Sequence, residues 1–215
     1  MFGLDDKIAG LSGGGSVLVV ILVAALLGLR HATDPDHLAA VTTLASSGRS
    51  RAATRLGAFW GLGHALTLVA FGVPIVLFEA YLPDVAQRGA ETTVGALIIF
   101  LALRLLVRHR HRPHDGRHEA RGPLAAFGIG LVHGIGGSAG VAVLLLAAMP
   151  SKGLALVSLV VLAAFTAVSM TLVTWTLGAT LLRRSAAIAP VVGVASLAFG
   201  VWYSASAWAL APSPF

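Results

Sequence analysis

Residues 28–41 read GLRHATDPDHLAAV. SVLVVILVAALLGL, with no charge in it, leads into them, and more apolar sequence follows. Arg30, His31, Asp34, Asp36 and His37 therefore stand inside a segment otherwise suited to lipid. A continuous helix over residues 15–47 would run about 50 Å at 1.5 Å per residue, while the hydrocarbon core is about 30 Å thick. Asp34-Pro35 is the natural breaking point, because Asp is a favoured N-cap and Pro is tolerated in a first helical turn. One helix should end near Thr33 and a second start at Asp34 or Pro35. Such a break frees carbonyls, which must line a protein-enclosed or watery cavity and which favour a cation. His31, Asp34, Asp36 and His37 surround it, and imidazole with carboxylate is a donor set for nickel, cobalt or zinc.

The rest of the chain sets the context. Of 215 residues, 57% are hydrophobic and 11% charged, with mean hydropathy +0.87. Soluble domains carry about 25% charge, so the expected class is an all-α membrane protein forming one transmembrane domain over 1–215. Six segments have the composition of a span: about 15–33, 56–79, 92–107, 124–149, 154–182 and 187–210, with 36–47 as a short helix after the break. Cysteine is absent, which excludes disulfides, thiolate metal sites and Cys nucleophiles. The N-terminal stretch lacks a basic region and cleavage site and reads as retained. The formal charge of +6 comes from Arg in short loops, not from a basic domain, so nucleic acid is not an expected partner.

Those loops alternate. Arg49, Arg51 and Arg55 lie in one; Arg108, Arg110, Arg112, Arg117 and Arg121 in another; Arg183 and Arg184 in a third. The other connections hold Glu79, Asp84, Arg88 and Glu91, or only Lys152. The positive-inside rule puts the Arg-rich set in the cytoplasm and both termini outside, in the cell (inner) membrane. Three spans followed by three have opposite directions, and the halves share short matches. GLRH at 28–31 answers GLVH at 130–133, and Val94-Gly95 answers Val192-Gly193. A 3+3 inverted repeat is predicted, an arrangement that in secondary transporters puts the site at the repeat interface near mid-membrane.

Two further histidines fall within spans. His64 stands in WGLGHALTL and His133 in GLVHGIGGSAG, each about 14 Å from the cytoplasmic face if its span starts near Arg55 or Leu124. A lone intramembrane His also serves as a buried hydrogen-bonding residue, and the 31–37 cluster could be a polar knot that holds a kink. Ionisable groups inside a membrane are functional by default. Arg30 reads as a counter-ion or snorkelling side chain, since a cation repels metal. His109, His111, His114 and His118 lie in the cytoplasmic loop and read as a solvated His/Arg run or as weak metal capture.

The motif resembles the nickel/cobalt permease family, in particular its short six-span urease-accessory-type branch. The family signature, His, four residues, then Asp-His, stands here as His31, Asp36 and His37, with Asp34 at the usual acidic position. Pro35 replaces the small residue common there. The Gly-His of span two matches Gly63-His64, and the span-four pattern matches LVHGIGGSAG, residues 131–140. The resemblance implies secondary transport of Ni²⁺ or Co²⁺, as uptake or, in related members, export. It implies a metal set of His31, Asp34, Asp36, His37, His64 and His133. No catalysis and no resident cofactor are expected; the ion is cargo, and the partners are the ion, the bilayer and, as an option, a second copy of the chain. No phosphate-binding loop is present, which speaks against ATP hydrolysis. Two rivals are a haem-binding membrane protein using two of His31, His64 and His133, and an intramembrane metal hydrolase with Asp34 as base.

Two outcomes are expected. Cysteine at Ser50 or Gly116 resists an impermeant thiol reagent in intact cells while cysteine at Gln87 reacts; labelling of the first two would reverse the orientation. Replacing His109, His111, His114 and His118 together changes metal transport only modestly. Loss as complete as that from a His37 substitution, at equal expression, would make the loop essential.

Overall fold

The computed structural model describes residues 14–45, 50–78, 83–110, 122–134, 136, 149, 151–181 and 185–212. Among them are seven helices: α1 (Gly14–His31), α2 (Pro35–Ala45), α3 (Ser50–Phe78), α4 (Asp84–Arg110), α5 (Pro123–His133), α6 (Lys152–Leu181) and α7 (Ser185–Ser206). The described chain is all-helical. Most of the second part of the expected span 124–149, and loop residues His111, His114 and His118, lie outside the described residues.

Three stretches are long and apolar enough to cross a bilayer: Ala52–Phe78, Asp84–Val107 and Lys152–Leu177. Val17–His31 and Pro35–Thr42 qualify together as a fourth, bent by 46° at the break. Among the described residues, length and composition thus support up to four crossings of the six expected. Pro123–His133 and Pro190–Ser206 are apolar but shorter.

The break forms where expected. The amide of Asp34 donates to His31 O and that of Thr33 to Arg30 O, closing α1 in a tight turn. Leu38 N then donates to Asp34 O, so Asp34 is the N-cap and Pro35 the first residue of α2. One expectation is altered. The carbonyls at the end of α1 are already engaged: Ser169 Oγ donates to Leu29 O, Thr33 Oγ1 to Arg30 O and Asp34 N to His31 O. The hydroxyls of Thr33 and Ser169 and the turn satisfy what a broken helix exposes. The polar character of the break therefore comes from side chains.

The bundle is packed on glycine. α3 lies against α5 and α6, α1 against α6, and α4 against α7. Gly28 meets the α6 backbone at Leu162 and Thr166, and Gly130 meets the α3 backbone at Trp60 and His64. Gly57 faces Thr174, and Gly72 faces Leu159. Ser169 Oγ donates to Leu29 O, and Thr67 Oγ1 to Leu131 O. In each of these pairs the second contact is the first with its partners exchanged and displaced by 102 residues, the separation of Gly28 from Gly130 and of Trp60 from Leu162. Large apolar side chains point outward instead: Leu18, Leu22 and Leu26 form an exposed stripe on α1, and Phe78, Phe100 and Leu172 are exposed on other helices. Small residues at helix contacts and large apolar ones outside is the pattern that lipid demands.

Close backbone approach gives two glycines of α5 opposite sensitivities. A Cβ at Gly130 would run into Trp60 O and the His64 backbone, neither of which can swing aside, whereas Gly128 has open space around it. Gly130→Ala is expected to destabilise by about 1–3 kcal/mol and Gly128→Ala to stabilise by about 0.5–1 kcal/mol. Thermal unfolding of the detergent-solubilised protein measures both. Equal tolerance of the two would contradict the packing of α5 on α3.

Candidate metal centre

The break turns α2 so that Asp36 and His37 point into the bundle. Both are fully buried, as are His64 and His133, and His31 and Asp34 are each only 7% exposed. His31 closes α1, His37 lies in the first turn of α2, His64 stands mid-way along the α3 span, and His133 closes α5. All six residues named from the sequence thus gather in one place, drawn from four helices that Gly63, Gly130 and Gly134 allow to approach closely. The imidazole centroids of His31, His133 and His64 lie 4.3, 4.5 and 5.0 Å from that of His37.

The protons can be followed through the network. His37 Nδ1–H donates to Asp36 Oδ1 at 3.0 Å. A neutral ring has one N–H and one lone pair, so His37 Nε2 carries a bare lone pair, and it is buried without a hydrogen bond. His31 Nδ1 stands 3.2 Å from Asp34 Oδ2. With the proton there, His31 Nε2 accepts from His64 Nε2–H, the two nitrogens being 3.0 Å apart. That leaves His64 Nδ1 as a second bare lone pair, also buried and unbonded. His133 Nε2 approaches Asp36 Oδ2 to 3.3 Å without the alignment of a hydrogen bond. Buried polar atoms left unsatisfied are costly, each about 1–3 kcal/mol. Several such nitrogens and one carboxylate oxygen lie buried together here, a chemistry able to take an electron-poor guest.

Two sets of three donors have mutually close ligand atoms, within 4.8 Å: His31, His37 and His64, and Asp36, His37 and His133. Neutral imidazoles and carboxylate suit a borderline divalent ion. Asp34 is outside both sets and bridges His31 to Arg30, whose guanidinium is 3.9 Å from Asp34 Oδ1 and whose side chain is 76% exposed. His31 and His64 meet ring to ring, which leaves no room for a macrocycle between them.

Two contributors escaped the sequence reading. Trp60 is fully buried, its ring 5.8 Å from His37 and 5.7 Å from His133, and it walls the pocket. Thr67 ties α3 to the α5 backbone through Leu131 O, two residues before His133. Trp60, His64 and Thr67 follow i, i+4, i+7 spacing, so one helical face carried the signal.

Residues 17–121 match the family model described as high-affinity nickel-transport protein. Over that stretch, just under half of its length, the chain is similar to nickel-transport proteins. It is 26% identical over 207 residues to the urease accessory protein UreH of Bacillus sp. (strain TB-90), covering 87% of this chain and 91% of that one. It is 30% identical over 99 residues to the cobalt transport protein NhlF of Rhodococcus rhodochrous, covering 45% of this chain and 26% of that one. No solved structure matches. The family match takes in four of the six gathered residues directly in α1 and α2, and His64 in α3; His133 lies beyond it.

Proposed function

We propose that the protein is a secondary transporter that carries Ni²⁺ or Co²⁺ across the cell membrane through the pocket formed by His31, Asp36, His37, His64 and His133. One observation carries the reading: imidazole lone pairs and a carboxylate oxygen converge, fully buried and without hydrogen bonds, at the middle of a membrane helix bundle. A structural knot would satisfy its own polar atoms. This cluster leaves them for a guest, and four imidazoles select a borderline ion over Mg²⁺ or Ca²⁺. Asp34 caps α2 and orients His31, in the way outer carboxylates fix the ring of a metal-binding His.

The architecture we assign is six spans in a 3+3 inverted repeat, with the domain covering 1–215. The paired contacts displaced by 102 residues support it, because partner exchange is what a two-fold axis in the membrane plane produces. A second register supports it in the last helix of each half: Gly95 faces Ser204 and Gly193 faces Leu106, the same contact exchanged, at the Val-Gly spacing. Arg-rich connections then face the cytoplasm and both termini the outside. On that outer side Lys152 Nζ donates to Leu77 O, Trp208 Nε1 to Thr92 Oγ1, and Arg88 stacks over Trp208, as in an interfacial belt. The name of the relative UreH links it to urease, and supply to such an enzyme fits uptake.

The test is a pair of variants. His37→Ala removes a central nitrogen, and Asp36→Asn keeps the shape but removes the charge. His37→Ala should weaken Ni²⁺ binding by about tenfold or more, as loss of a ligand typically does, Asp36→Asn should weaken it less, and both should slow uptake at normal folded yield. Isothermal titration of purified protein and uptake normalised to folded protein measure this. Wild-type affinity in both variants would leave the cluster a structural knot.

A further inference from the structure

The buried donors do not form one compact shell. Among the described residues they fall into two sets of three, His31/His37/His64 and Asp36/His37/His133, and no larger set has all its donors within mutual reach. His37 is the hinge of both. Its ring stands 4.3 Å from His31 and 4.5 Å from His133, whereas His64 and His133 are 6.2 Å apart. A first-row ion binds nitrogen at about 2.0–2.1 Å and carboxylate oxygen at about 2.0–2.2 Å, so donors to one ion stand at most about twice that apart. All five side chains cannot hold one ion as they are placed, yet each set of three is close to doing so.

The two sets also differ in chemistry and in access. The first consists of imidazoles alone and adjoins Asp34, which the exposed Arg30 side chain flanks. The second contains the Asp36 carboxylate, and both side chains of its Asp36–His133 pair are fully buried. From the exposed side inward the order is therefore Arg30, Asp34, the neutral set, His37, and the charged set. A membrane transporter must bind an ion without trapping it, which adjacent sites of graded character achieve.

We propose that the pocket is a two-position relay, in which the ion passes between the His31/His37/His64 set and the Asp36/His37/His133 set and keeps His37 as a ligand throughout. This rests on the metal-transport reading above. In the step, His31 and His64 leave the ion while Asp36 and His133 take their places, so the number of protein donors stays at three, and the hydrogen bond between His31 Nε2 and His64 Nε2, given up while His31 holds the ion, re-forms as the ion leaves. Because both positions need His37, and because two dications so close would repel across a weakly screening interior, one ion occupies the pair at a time.

Ni²⁺ titration of the purified full chain in nanodiscs, against a competing chelator, separates a relay from a single site. Wild type should bind one Ni²⁺. His64→Ala spares the charged set and His133→Ala spares the neutral set. Each should still bind one Ni²⁺ with affinity within about tenfold of wild type, while uptake into vesicles falls by more than about tenfold. His37→Ala and the double variant should lose binding by about a hundredfold or more. X-ray absorption should find a carboxylate oxygen on the ion in His64→Ala and imidazole nitrogen without protein carboxylate in His133→Ala. Gln in place of Ala at 64 and 133 gives a second pair, and unfolding temperatures confirm that the proteins compared are folded. If the single variants lose as much affinity as His37→Ala, the relay is wrong while the metal site stands. Two ions per wild-type chain would overturn the shared ligand. A wild-type chain that binds no Ni²⁺ would overturn both readings.

Discussion

The fully buried carboxylate of Asp36 is the constraint around which the bundle is arranged. An isolated ionised carboxylate in a low-dielectric interior costs several kcal/mol even after relaxation. Here His37 Nδ1–H donates to one of its oxygens and His133 approaches the other. Those two partners come from α2 and α5, so satisfying one side chain requires α5 to close on α3 and α2 to turn inward. Gly63 and Gly130 make the first possible and the Asp34-Pro35 break makes the second possible. Both are expensive in isolation, since glycine weakens a helix and a break exposes polar backbone to lipid. Their hydroxyl companions, Thr33, Thr67 and Ser169, meet that exposure locally.

The first half of the site was legible because its signals are local. His31, Asp36 and His37 stand within seven residues, and Pro35 announces a helix start, so the break and the candidate ligands could be read from one short stretch. Gly63-His64 and Gly130 to His133 were legible only as candidates. A histidine in a span says nothing about which neighbour it faces, and its meeting with His31 depends on packing across α1, α3, α5 and α6. Trp60 and Thr67 passed unremarked because a buried Trp or Thr is usual in any helix bundle; only their spacing with His64 set them apart. The expectation of bare carbonyls at the break was altered for a related reason. The sequence shows that backbone is freed, but Ser169 satisfies Leu29 from 140 residues away, which no local rule anticipates. Six spans were expected from apolar runs, yet length and composition of the described helices account for up to four. Most of the second part of the expected fourth span, residues 137–148, lies outside the described residues.

The paired contacts repeat along the chain, while most residues of the candidate site do not. Thr67 and Ser169 occupy corresponding places and make the corresponding bond; Gly28 and Gly130 do likewise. His31 and His133 correspond as well, and each closes its helix. At this point the halves diverge. The positions 102 residues beyond Asp34, Asp36 and His37 are Gly136, Ser138 and Ala139, and the position answering His64 is Thr166. Thr166 is fully buried and returns its hydroxyl to Leu162 O within its own helix.

This divergence follows from the electrostatics. Two copies of the acidic motif in one pocket would bring two uncompensated carboxylates together in the interior, where like charges interact strongly. Keeping the packing residues in both halves and the carboxylates in one preserves the symmetric scaffold at the charge of a single site. The second half then supplies what can be added without charge, a neutral imidazole in His133, set against Asp36 by the same glycine-lined crossing that places His31 in the first. The scaffold and the site thus answer to different demands. Helix contacts repeat because close packing in lipid needs small residues wherever helices cross, and the carboxylates of the candidate site do not repeat because each buried negative group is costly to hold.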